Sequence, residues 1–111
     1  MNNETLDLTY KALQDVNQFM KVLDDYKLVQ TCGACPEQYD MFYNGKLIGY
    51  LRLRNGNFTV RYYGNDIEGE LVYQATLDHD YGSFEYEERE EYLTKAKLAI
   101  YMKHLFNGLT S

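Results

Sequence analysis

The chain reads as an α+β domain: a four-stranded antiparallel β-meander flanked by an N-terminal and a C-terminal helix, both packed on one sheet face (α-β-β-β-β-α). Three observations predict this. Two Asn-Gly pairs, Asn44-Gly45 and Asn55-Gly56, interrupt runs rich in aromatic and aliphatic residues over positions 39–63. A two-residue type I′ turn needs positive φ at both central positions, which Asn and Gly tolerate, so each pair predicts a tight hairpin. On either side of this region lie segments whose apolar residues recur every three or four positions, the period of a helix face.

The first such segment covers about residues 3–25, where Leu6, Tyr10, Leu13, Val16, Met20 and Leu23 alternate with Lys11, Gln14, Asp15, Asn17, Gln18 and Lys21. Asn3, Thr5 and Asp7 can each serve as its starting cap. Residues 26–31, YKLVQT, are either a short strand or the helix exit. Gly33 and Pro36 then break any regular element, and the residue before Pro36 is pushed toward extended backbone.

Two-residue turns also predict register, because the residues flanking each turn pair directly. The second turn pairs Leu53 with Phe58, Leu51 with Val60 and Gly49 with Tyr62 on one face. It pairs Arg52 with Thr59, Tyr50 with Arg61 and Ile48 with Tyr63 on the other. The first turn pairs Phe42 with Leu47 on the Leu51 face, and places Met41 beside Ile48 and Tyr39 beside Tyr50 on the opposite one. The expected core face is therefore Phe42, Leu47, Leu51, Leu53, Phe58 and Val60. Residues 70–77, ELVYQATL, supply the fourth strand after the turn residues Gly64-Asn65-Asp66. Ser83 is the expected N-cap of the second helix, Glu85, Glu87 and Glu88 suit its positive end, and Asn107-Gly108 is its expected stop. Leu93, Ala96, Ile100 and Phe106 mark its apolar face, and Glu85 with Arg89 and Glu91 with Lys95 have i,i+4 spacing.

A chain of 111 residues with 45% hydrophobic content fits one domain, residues 1–111. Seventeen acidic against eleven basic side chains give a net charge of −6, which opposes approach to nucleic acid or an anionic membrane. Neither a membrane span nor a signal peptide is evident, and two cysteines supply no disulfide framework, so a cytoplasmic setting is expected. Twelve tyrosines with no tryptophan are the compositional oddity. Tyrosine joins a large apolar ring to a hydroxyl that wants a partner, which suits half-buried strands and binding surfaces.

The predicted uncovered face carries the candidate site: Tyr39, Met41, Ile48, Tyr50, Arg52, Arg61 and Tyr63. Solvated sheet faces normally show more charge and less aromatic area. Tyr, Met and Arg together suit docking of a protein partner, and rings interleaved with arginines also suit stacking of a nucleotide-like anion. The plain alternative is a face covered by the N-terminal segment or by self-association, and a homodimer is compatible with it. Cys32 and Cys35 form a CxxC which, with His79 and His104, is the set from which a zinc site would be built. A zinc site needs four such ligands held together, and a lone CxxC reads first as structural or incidental cysteines. A redox CxxC would open a helix after a strand, whereas Pro36 follows at once. The acidic run at 85–91 reads as a solvated helix face that can also complement a basic partner. No phosphate-cradling loop or nucleophile elbow is present, and no catalytic residue, cofactor or enzymatic activity is expected.

The segments GACPEQYD (33–40) and GYLRLRNGNF (49–58) resemble small uncharacterised proteins of bacteria and their phages. That resemblance implies a bacterial or bacteriophage origin and a bacterial host cytoplasm, and it brings no catalytic residue with it. Together with the acidic surface it implies a non-enzymatic accessory factor that binds and inhibits a host protein, such as a defence protein. The alternative is a small-ligand binder that holds a nucleotide-like anion on the Tyr/Arg face.

Overall fold

The computed structural model describes residues 21–33, 36–64 and 67–110, with side chains described as far as Asn107. The elements follow in the order β1 (Tyr26–Cys32), β2 (Glu37–Tyr43), β3 (Lys46–Arg54), β4 (Asn57–Tyr62), β5 (Glu70–Thr76) and α1 (Tyr86–Thr110). The strands form one antiparallel sheet in sequence order, β1-β2-β3-β4-β5. The meander therefore has five strands rather than the predicted four. The extra one is YKLVQTC, whose alternation buries Tyr26 and half-buries Leu28 while leaving Lys27 and Val29 exposed, so pairing with β2 outcompetes continuation of a helix. Of the helix predicted over residues 3–25, all but the end lies outside the described residues; residues 21–23 are helical and Leu23 is buried.

Both tight turns have the backbone their sequence demands, with φ of 52° and 78° at Asn44-Gly45 and 53° and 74° at Asn55-Gly56. At Gly56 a second constraint applies, because a Cβ there would lie 1.9 Å from the carbonyl oxygen of His79. The β3–β4 register agrees with the predicted one at every pair from Gly49↔Tyr62 to Leu53↔Phe58.

The β2–β3 register does not. Phe42 pairs with Leu47, but Met41 pairs with Gly49 and Tyr39 with Leu51, so Ile48 is an extra residue in β3. This bulge exchanges the faces of β2 beyond it. Tyr39 and Met41 turn inward to join Leu51, while Leu47 is 42% exposed and Phe42 only half-buried. The physical reason is legible in β2 itself. Its odd positions, Tyr39, Met41 and Tyr43, are the apolar ones, and a bulge-free register would have turned Gln38 and Asp40 toward the core.

The helix α1 packs over the inward face, where Leu51, Leu53, Phe58, Val60 and Met41 meet Ala96, Leu98 and Ile100. Gly49 is where the helix comes closest, since a Cβ there would lie 2.3 Å from Ile100 Cδ1. The helix begins at Tyr86 and not behind Ser83: the Glu85 carbonyl accepts from Glu88 N and Arg89 N, both at 3.1 Å, and the Glu88 carboxylate accepts from Glu85 N at 3.0 Å. It also runs on to Thr110, through the Asn107-Gly108 pair expected to end it. Such a pair stops a helix only where glycine turns left-handed. Phe106, expected on the core face, is 58% exposed.

Candidate functional site

The face of the sheet opposite α1 is built by the outward positions of all five strands. One row runs Val29, Asp40, Tyr50, Arg61, Leu71 and the next runs Gln38, Arg52, Thr59, Gln74. Four of the seven sequence-predicted residues are brought together here: Tyr50, Arg52, Arg61 and Tyr63. Tyr39, Met41 and Ile48 are corrected, being 7%, 0% and 5% exposed within the core cluster. The bulge at Ile48 is the cause.

The four residues differ in how firmly they are held. The Tyr50 hydroxyl donates to Gln38 Oε1 on the neighbouring strand. Arg61 donates through Nη1 to the carbonyl of Gly69 at 3.2 Å, where φ is +85° and a Cβ would lie 3.1 Å from the Tyr63 ring. Burial pushes the Tyr63 hydroxyl above the ordinary tyrosine range, with the charge of Asp40 adding to the effect and Arg61 opposing it. Arg52 stands apart: its Nε is buried and has no hydrogen-bond partner among the described residues. A buried donor left unpaired costs roughly 1–3 kcal/mol, so Arg52 is not spent on fastening the fold through this atom.

The remaining ionisable clusters are tied into the fold. Glu37, at the start of β2 and 0% exposed, is the residue that sequence reasoning missed. Its carboxylate accepts from Arg89 Nε at 3.0 Å, Arg89 Nη2 at 3.1 Å, Phe84 N at 3.0 Å and the Tyr39 hydroxyl. Burial works to raise its pKa, but the hydrogen bonds from Arg89, Tyr39 and Phe84 outweigh that and hold it below the usual carboxylate range. Burial and the bond to Glu37 push Tyr39 up to about 12. Arg89 had the i,i+4 spacing to pair with Glu85, but the fold pairs it with Glu37; Glu91 and Lys95 pair as their spacing predicts, at 3.0 Å. The one signal for Glu37 in the sequence was an acid opening a strand otherwise inward at odd positions.

Of the four candidate zinc ligands, three lie among the described residues and are held in separate parts of the fold. Cys35 lies outside the described residues, and Cys32 ends β1. His79 Nδ1 accepts from Tyr81 N at 3.3 Å, which leaves the proton on Nε2 to be donated to Glu88 Oε1 at 2.5 Å. Both ring nitrogens are thus engaged, and the imidazole offers none to a nucleophile. His104 Nδ1 lies 3.0 Å from the Tyr26 hydroxyl, among the rings of Tyr26, Tyr43 and Tyr62. Burial pushes Tyr26 up to about 12, so its hydroxyl stays protonated against the ring. Among the described residues no group of three or more His, Cys, Asp or Glu side chains is placed to hold a metal ion. No described helix is long and apolar enough to cross a membrane. A scan of protein-family models, a search of curated proteins and a search of solved structures each find no match to the chain.

Proposed function

We propose that this protein is a non-enzymatic binding factor that docks on a protein partner through the outer sheet face, with Tyr50, Arg52, Arg61 and Tyr63 as its anchors. The observation that carries the reading is the buried, unpartnered Nε of Arg52 beside half-buried tyrosines. Tyrosine and arginine are the residue types that dominate interface energetics, and an arginine whose donor lacks an acceptor gains most from a partner's carboxylate or carbonyl. The resemblance to phage and bacterial proteins extends the proposal to inhibition of a host protein in the bacterial cytoplasm.

A small-ligand reading gains less support, because cavities among the described residues lie off this face, between β5 and α1, between β1 and α1, and beside Arg54 and Ser83. The test is affinity capture from a bacterial host with the wild type and with Tyr50→Ala/Arg52→Ala, followed by titration of the purified partner. A partner bound by the wild type and weakened by at least about tenfold in the double variant supports the assignment. Equal affinity of both proteins overturns it.

A further inference from the structure

At the end of the molecule remote from the Glu37 cluster, β5 and the last turns of α1 enclose a groove of about 370 Å³ lined by Leu71, Val72, Ala99, Met102 and Phe106. One wall of the groove is the bulged end of β5: Tyr73 pairs with Val60 and Leu71 with Arg61, leaving Val72 as an extra residue. Glu70 and Lys103 sit on its rim as an ion pair of 2.9 Å. Around it Leu71, Leu105 and Phe106 are 42%, 51% and 58% exposed.

Three residues before Glu70, in the loop joining β4 to β5, Ile67 is 95% exposed. A three-residue span reaches at most about 11 Å, which keeps Ile67 on the same end of the molecule as the groove. The loop meets the helix end there, since a Cβ on Gly64 would lie 3.0 Å from Asn107 Nδ2. At 95% exposure, Ile67 is not seated in its own chain's groove. The molecule thus presents an aliphatic knob and an apolar hole side by side.

We infer that the occupant of this groove is a second copy of the chain, with Ile67 of each protomer inserted between β5 and α1 of the other. A two-fold axis makes such an interface self-complementary, because each copy supplies one knob and one hole. The rim charges agree. Copies carrying a net charge of −6 repel one another over most of their surface, but the Glu70–Lys103 pair makes the rim of the groove locally neutral. The bulge in β5 twists its free edge, which disfavours strand-to-strand extension and leaves side-chain insertion as the mode of contact. Leu71 belongs both to the end of the outer row and to the wall of the groove, but Tyr50, Arg52, Arg61 and Tyr63 do not line the groove, so the two surfaces are tested by different variants.

Analytical ultracentrifugation over a concentration series tests the inference, using the wild type, Ile67→Asp, Leu71→Asp and Tyr50→Ala/Arg52→Ala. Expected are a wild-type dimer, an outer-face variant that dimerises equally well, and two aspartate variants whose dimer dissociates at least about tenfold more readily. Their far-ultraviolet circular dichroism should match the wild type, because both altered side chains are exposed. A wild type that stays monomeric at millimolar concentration overturns the inference. So does an Ile67→Asp variant that dimerises as well as the wild type.

Discussion

The two faces of the sheet use the same residue types to opposite ends. On the inward side Arg89 spends its guanidinium on Glu37 and the Phe84 carbonyl, and Tyr39 completes the same carboxylate. On the outward side Tyr50 has one neighbour-strand acceptor, and Arg52 keeps a buried Nε with no partner. The difference shows what an arginine among tyrosines means. Where its Nε and Nη2 donors find acceptors within the chain it fastens elements together, here the start of β2 to the start of α1. Where a donor is left over, as at Arg52, the guanidinium is not fully committed to fastening the fold.

The largest test of this division concerns the bulge that creates it. Met41→Ala should destabilise by about 2–5 kcal/mol, as expected for a fully buried side chain, whereas Leu47→Ala should cost under about 1 kcal/mol. Denaturant unfolding measures both. The reverse order would restore the bulge-free register and dissolve the distinction between the faces.

Next in size is the Glu37 cluster. Glu37→Gln keeps the shape but leaves Arg89 without its counter-charge, and because Arg89 is itself 37% exposed the loss should be about 2–3 kcal/mol. Since the folded protein holds Glu37 below its unfolded pKa, its contribution is fully present above the ordinary glutamate value of about 4.3. It is lost as pH falls through the lower, folded value. Unfolding curves below about pH 5 should therefore show a steeper fall in stability for the wild type than for Glu37→Gln. Parallel curves would mean that the carboxylate is not the acid-sensitive fastening.

The smallest expected effect is on the outer face. Arg52→Ala should destabilise the fold by no more than about 0.5 kcal/mol, because it removes an unpaired donor along with the charge. A loss as large as that of Glu37→Gln would make Arg52 a structural arginine like Arg89 and would empty the outer face of its role.

Much of this was readable from residues alone, for reasons that are local. A type I′ turn depends on the φ preferences of two adjacent residues, so Asn44-Gly45 and Asn55-Gly56 declare themselves, and the β3–β4 register follows from the second. The amphipathic spacing of Ala96 and Ile100 likewise announces a helix against the sheet. Of the candidate site, Tyr50, Arg52, Arg61 and Tyr63 were placed together by alternation out from that turn. Tyr39, Met41 and Ile48 were not, because a bulge adds one residue without any obligatory signature and reverses every side chain beyond it.

What only the tertiary structure decided is which of the compatible pairings is used. The partner of Arg89 is one case: Glu85 offers the right helical spacing, yet Glu37, distant in sequence, is the acid whose burial makes the pair necessary. The fifth strand is another, since residues 26–32 are extended because β2 presents an edge for them to complete. Turn geometry and helical period are properties of neighbouring residues and are written in the chain. Register shifts and buried charges are settled by which groups would otherwise be left unpaired, and that is a property of the packed molecule.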